Sequence, residues 1–481
     1  MEQILKKEIY EERNFKVIPI SIALIAAGFF CMLSETVLNM ALKNLMSQFS
    51  ITANTVQWLS TGYMLIMGIS IPISAFLTGT FTTRQLFLSS VTIFVLGTII
   101  CGFSPAFSIL LIGRLIQAVG TGLLIPTIVN TLIIINPIEK RGKALGIFNL
   151  VMFCAPAIGP TLSGLIVQSY SWRWLFLSII PFSIIALIIG YIYIENVTKL
   201  TKPNIDIISI LLSTVGFGGF IYGVNNIGES STVKMAAPVI IGCIALAIFV
   251  FRQATIKEPM LDMHPFKYPM FTIGMIHIII MHMVNFSIML ILPMYLEGAL
   301  GLSAFTAGLI MLPGGFINGI ISPISGHFYD KFGPKVLILP GFIISTVVFF
   351  IFSHVISLNM TIPLIITLHC LSLVAVGMIN TPSQTNSLNQ LLPEHYPHGT
   401  AISNTLQQIA GAFGTSLFVA IMSASQKKYL MSVSNPNDSK QQALSLVFGV
   451  HHTLSIEVMV LLVAVVLALF LKRNNLSHSK K

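Results

Sequence analysis

Uncharged runs of roughly 20 residues recur between Val17 and Leu471, separated by short polar loops, and that is the length an α-helix needs to cross the hydrocarbon core of a bilayer. No other feature of the chain narrows its fold so far. In hydrocarbon each backbone N–H and C=O must be satisfied within the segment or in a closed barrel, and runs of this length select the helix. Composition agrees: 55% of the 481 residues are hydrophobic and 9% charged, too little polar surface to coat soluble domains of this total size. The expected fold is an all-α membrane bundle of fourteen spans, at 17–42, 56–77, 84–103, 107–135, 144–168, 173–194, 207–226, 236–252, 271–296, 304–325, 336–355, 361–388, 399–424 and 451–471. The run from Val17 is too long for a signal peptide and lacks a small-residue cleavage site, so it is expected to be retained as the first helix. Cys31, Cys101, Cys154, Cys243 and Cys370 fall inside apolar segments without metal-ligand spacing, which argues for core residues rather than disulfides or a metal site.

A net charge of +10 would suit a nucleic-acid partner if the basic residues formed one patch, but they are spread through short loops and no such partner is expected. With the N-terminus in the cytoplasm, 19 of the 26 Lys and Arg residues lie on that side and 6 outside, leaving Arg114 within a span. The positive-inside rule favours this orientation over its inverse. Both termini are then cytoplasmic, and the chain is expected to be a multi-pass protein of the cytoplasmic membrane. The cytoplasmic loop 389–398 is the weakest point of that reading, since it contains no Lys or Arg.

Transporters are commonly built from repeats around a midplane site. "GTFTTRQ", Gly79 to Gln85 with Arg84, has a fuller counterpart in "GHFYDKFGPK", from Gly326 through Asp330, Lys331 and Gly333 to Lys335, at an offset of 247. "AVG" at 118–120 recurs at 375–377, and "RGKA" at 141–144 faces "HGTA" at 398–401, both at an offset of 257. The agreement in order implies two six-helix halves, 1–200 and 266–481, with an inserted helix pair in 201–265.

With these residues in view the chain resembles the major facilitator superfamily, and within it the 14-helix drug:proton antiporter branch. "LLIGRLIQAVGTG", Leu110 to Gly122, looks like the fourth-helix motif with its membrane arginine at Arg114. "APAIGPTLSG", Ala155 to Gly164, is similar to the antiporter motif of the fifth helix, and "SWRWLF" follows it as that branch has it. "SETVLNMAL" resembles the first-helix motif, in which an acid precedes an asparagine by four positions, and Leu391 to Leu417 looks like the lincosamide and multidrug exporters. The first-half loop departs from the family pattern, with Thr83 at the acidic position; Asp330 keeps the acid in the second copy.

Glu35 interrupts an uncharged run that begins at Val17 and lasts until Lys43, and ionisable residues at such places usually mark a pathway or a proton relay. Counted along antiparallel helices, Glu35 and Arg114 each sit roughly 10 Å below the outer end, so they are expected to be neighbours that titrate in a range useful for proton exchange. A static pair that pins two helices is the alternative. Asn39, Gln117 and Thr121 share faces with this pair and either contact substrate or serve as interhelical hydrogen-bonders. Gly159, Pro160 and Gly164 give the fifth helix a small-residue face with a weakened ladder, a packing hinge between the halves or a mere kink. His277, His282 and His369 are secondary relay candidates, and Glu297 and Glu457 are read as solvated rim residues that could greet a cation. Asp330, Lys331 and Lys335 are expected to anchor one conformation.

No nucleophile elbow, phosphate loop or metal-spaced motif is present, so neither enzymatic activity nor a cofactor is expected. The expected function is a proton-coupled antiporter, driven by the proton gradient alone, that exports lipophilic, including cationic, drugs or related small molecules. Its partners are then protons, those substrates and membrane lipids. A flippase for a lipid or lipid-linked metabolite is the rival in mechanism, and a non-transporting membrane sensor the rival in class.

Overall fold

The computed structural model describes residues 16–136, 138–197, 206–225, 232–256, 259, 262–391 and 396–471, and among them there is no strand. Fourteen helices of 15 residues or more follow one another: α1 (Val17–Thr36), α2 (Trp58–Thr80), α3 (Thr83–Gly102), α4 (Phe107–Ile135), α5 (Ile138–Ser169), α6 (Ile179–Tyr193), α7 (Ile207–Asn225), α8 (Thr232–Thr255), α9 (Pro269–Gly298), α10 (Ala304–Phe332), α11 (Lys335–Val355), α12 (Ile362–Leu388), α13 (Tyr396–Met431) and α14 (Ser439–Leu469). Among the described residues twelve stretches are long and apolar enough to cross a membrane. The other two helices, α2 and α5, have 23 and 32 residues and reach roughly 35 and 48 Å at the usual rise.

Some helices begin where the sequence offers a side-chain cap. Thr82 and Gln85 form a capping box at α3, and Ser303 accepts from Thr306 N at 3.1 Å at the start of α10. Between α10 and α11 the chain turns within two residues, and Gly333 takes φ 83°, where a side chain would be strained. Several boundaries differ from expectation by six residues or more, two of them with a structural reason. The first span stops at Thr36, passes through a turn and a 3-10 segment (Asn39–Ala41), and continues as Leu42–Phe49. α14 starts well before 451, capped by Asp438, because its polar first turns extend the helix beyond the apolar stretch that hydropathy can mark.

Helix pairing repeats along the chain. α1 packs on α4, α5 and α6, α3 on α4 and α6, and α2 on α4; eight helices later the same pairs recur, α9 on α12, α13 and α14, α11 on α12 and α14, and α10 on α12. The two sets meet at two seams, α5 against α10 and α2 against α13, which exchange under the same shift. α7 and α8 pack on each other, and α7 also lies on α2 and α13, over one seam.

An ion pair closes one end of α7 and α8: Asp206 accepts from Arg252 Nε at 2.8 Å and Nη2 at 3.0 Å. The hydrogen bond from Arg252, with help from Ser209, holds the Asp206 carboxyl down at about 2, against an ordinary 3.8. A depressed acid contributes stability that is present above its ordinary value and is lost as pH falls towards the folded one. Arg252→Gln is therefore expected to loosen the pair at a higher pH than the wild type. An acid titration of Trp58 fluorescence, in a background where it is the sole tryptophan, checks this, since Trp58 packs on Tyr222 of α7 at 6.1 Å. Coincident acid midpoints would contradict it.

Candidate functional site

The break in α1 creates the first half of the site. The last carbonyls of a helix lack intrahelical partners and form the negative end of its dipole. Arg114 of α4 occupies that end: Nη1 donates to Ser34 O at 2.9 Å and Nη2 to Glu35 O at 3.5 Å, while Nε reaches Leu59 O at 3.3 Å. Ser34 Oγ and Gln117 Oε1 accept from Nη1 as well, and the Tyr63 ring lies 4.1 Å from the guanidinium carbon. A fully buried cation is tolerated because neutral oxygens and an aromatic face satisfy its donors. Gln117 is itself fixed by donating to Thr98 Oγ1 at 2.7 Å, and the Thr121 and Tyr63 hydroxyls are 2.7 Å apart.

Arg114 thus meets Glu35 through the backbone, and among the described residues no ion pair joins the two side chains. The Glu35 carboxyl, almost fully buried, borders a central cavity of about 240 Å³, and its Oε1 has no hydrogen-bond partner among the described residues. The cavity has two unlike walls. α1 and α5 contribute Met32, Thr36, Met152, Pro156 and Pro160 beside Glu35; α9, α10, α12 and α13 contribute His282, Asn285, Asn318, His369, Asn380 and Gln408 among further apolar side chains. Glu35 is the one carboxyl among the lining residues. His369 Nδ1, Asn380 Oδ1 and Gln408 Oε1 are also buried without partners, so the site presents unused hydrogen-bonding groups to whatever enters it.

Of the residues singled out in the sequence, Glu35, Pro160, His282 and His369 line this cavity. Gln117 and Thr121 lie behind it, holding Arg114 and Tyr63. Asn39 donates to Met289 O at 3.4 Å and ties α1's extension to α9. His277 lies outside the lining and packs 5.0 Å from the Phe342 ring, because five positions from His282 is about 140° around the helix. The rim reading of Glu297 and Glu457 is corrected: they are 5% and 0% exposed, since neighbouring helices cover both.

The hinge residues separate into two contacts. A Cβ on Gly159 would strike Thr36 Oγ1 within the first six helices, whereas Gly164 meets the backbone of Ala304 and Phe305 across the α5–α10 seam. Gly308, which sequence reading passed over, completes that crossing: its Cβ position lies 2.6 Å from Pro160 O, and its own carbonyl accepts from Thr161 at 3.0 Å. Lys43 donates to Glu297 O at 2.7 Å and the hydroxyls of Thr61 and Thr415 are 2.8 Å apart, so these cross-seam contacts gather at the end that carries the α1–α2 connection. At the opposite end Arg84 donates to Tyr191 O at 2.6 Å and Lys335 to Leu469 O at 2.9 Å, each cation fastening the start of a third helix to the end of a sixth. Lys331 lies over the Phe332 ring at 5.2 Å and Gly326 has room for a side chain, while the Asp330 side chain lies outside the described residues. All five cysteines are unpaired, and among the described residues no cluster of His, Cys, Asp or Glu could hold a metal.

Tyr63, Asn318, Asn380 and Gln408 were also missed. Each is a polar residue at membrane depth, which is a usable signal, though it does not say which residues share a cavity.

A helical bundle with repeated pairing, shut at one end around a cavity that holds a buried carboxyl beside a buried guanidinium, has the architecture of a membrane transporter. The chain belongs to the Major Facilitator Superfamily, whose family profile matches residues 24–415. It is 48% identical to "Lincomycin resistance protein LmrB" of Bacillus subtilis (strain 168) over 99% of this chain and 100% of that protein. It is 26% identical to "Multidrug export protein EmrB" of Escherichia coli (strain K12) over 89% and 85%. In fold it resembles the inward-facing, unoccupied crystal structure of a bacterial homolog to the human lysosomal transporter Spinster, with TM-score 0.70, 13% identity and coverage of 95% and 97%.

Proposed function

We propose that this protein is a proton-coupled antiporter that exports lipophilic, including cationic, drugs across the cytoplasmic membrane, with Glu35 as the proton carrier. The observation that carries the reading is the Glu35 carboxyl, bordering the cavity with an oxygen that no protein group satisfies. Arg114 and its oxygen shell hold the end of α1, and hence Glu35, in place. The amides and histidines of the facing wall offer hydrogen bonds, and Met32, Met152, Met281, Met289 and Met311 provide a compliant apolar surface for substrates of varied shape. Kinship with a lincomycin resistance protein makes lincomycin a suitable probe substrate. One proton entering down 100 mV releases about 2.3 kcal/mol, enough to drive accumulation without a cofactor. Lincomycin-dependent proton movement in proteoliposomes tests the reading, and its absence in active preparations removes it.

All fourteen long helices span the membrane in this reading, the six-helix halves being 1–200 and 266–481 with 201–265 inserted, and both termini cytoplasmic. The cavity is then closed towards the outside. Single cysteines at 230 and 260, both outside the described residues, check the orientation with a membrane-impermeant thiol reagent on intact cells. Labelling is expected at 230 alone; the reverse pattern would invert the topology.

A further inference from the structure

The buried stripe of α14 carries one ionisable residue. Val450, Leu454, Leu461, Ala464 and Ala468 recur at helical spacing on the face that packs against α9, α11 and α13, and Glu457 stands among them with no exposed surface. It lies about 18 Å along the axis from Leu469, deep in the bundle. Among the described residues neither carboxyl oxygen is held in a hydrogen bond of ordinary geometry, and the Ser287 hydroxyl of α9 lies beside it.

The charged and titratable groups around it do not balance it. On α9, His282 borders the cavity and Glu297 sits near the end of its helix; His277 is buried in the α9–α14 interface, beside Ala464, two turns along α14 from Glu457. On α11, Lys335 is engaged with Leu469 O, and the His354 ring lies 6.3 Å from that of His451, towards the other end of α14 with His452. α13 has no ionisable residue between His398 and Lys427. Among the described residues an ionised carboxylate there would face no cation and the single Ser287 hydroxyl as donor, a state that buried carboxyls avoid by keeping a proton.

We infer that Glu457, with Ser287 and His277 in the α9–α14 interface, is a second proton-binding site, separate from the cavity and from Glu35. α9 links the two. It presents Asn285 and Met289 to the cavity, and Ser287 lies between them on the side turned towards Glu457. A substrate that draws α9 inward alters the surroundings of Glu457, which passes its proton on in the other conformation.

The inference rests on the proton-driven reading, and the experiment separates the two. In proteoliposomes the equilibrium accumulation of lincomycin is followed against imposed pH differences, giving the protons exchanged per substrate. The wild type is expected to exchange about two, Glu457→Gln about one, and Glu457→Asp to recover part of the loss. An unchanged ratio in Glu457→Gln, or a ratio of about one in the wild type, overturns the second site while leaving antiport standing. A wild type indifferent to the gradient overturns both. Should Glu457→Gln fail to fold, dicyclohexylcarbodiimide on the wild type decides: it adds to protonated carboxyls in apolar surroundings, and peptide mass spectrometry is expected to find the N-acylurea on Glu457 during turnover. An unmodified Glu457 in turning-over protein overturns the inference.

Discussion

Glu35→Gln is expected to remove the cavity's share of proton coupling, and with it most of the proton-driven export, while leaving substrate binding intact. The amide keeps the shape of the side chain and can hydrogen-bond, and Oε1 has no partner among the described residues to lose. What disappears is the ability to take up and release a proton. If one elementary charge is uncoupled, accumulation at 100 mV should fall on the order of 50-fold. Glu35→Asp keeps the carboxyl but withdraws it by one methylene, and partial activity is expected. Lincomycin-induced proton release, measured alongside equilibrium binding, distinguishes lost coupling from a lost site. Undiminished coupling in Glu35→Gln would make the carboxyl structural and pass the role to His282 or His369, which line the same cavity.

Gly164→Val is expected to prise open the end of the bundle that carries the α1–α2 connection. Its Cβ would fall 2.6 Å from Phe305 Cα and closer still to Ala304 O, and both are backbone atoms that cannot swing aside. Gly308→Val should act alike, with Pro160 O at 2.6 Å and Thr161 Cα at 2.7 Å. Overpacking of this kind costs about 1–3 kcal/mol, a shift of roughly 5- to 150-fold between the state that needs the crossing and the state that does not. Gly319→Val is the control, since nothing lies within 4 Å of its Cβ position. Spin labels at the exposed positions Gln168 and Leu309 report the separation of α5 and α10. Longer distances with reduced transport are expected in both variants, and an unaltered distribution with normal transport would show that the crossing need not form.

The helices were legible because hydropathy reports apolar runs of helical length, and the closeness of Glu35 and Arg114 because their helices run antiparallel. The interaction between them was not. Arg114 binds carbonyls exposed where α1 stops at Thr36, and nothing in an uninterrupted apolar run announces that stop. Rotation about each helix axis was equally hidden. A helix that is apolar almost all round has no polar face to mark its orientation, so His282 could not be told from His277, nor Asn380 recognised as a cavity wall. Glu457 shows the same limit, because distance from a helix end says nothing about what covers a side chain.

The seat of α7 carries a mechanical consequence. It rests on α2 and on α13, which belong to different sets of six helices, so if those sets rock against each other α7 cannot keep still on both. Towards α13 the Phe220 and Phe413 rings are stacked at 5.3 Å; towards α2 the Tyr222 and Trp58 rings meet obliquely at 6.1 Å. The firmer grip is on α13. In such a motion α7 and α8 are expected to follow the second set, with the Trp58 side of α7 sliding over α2.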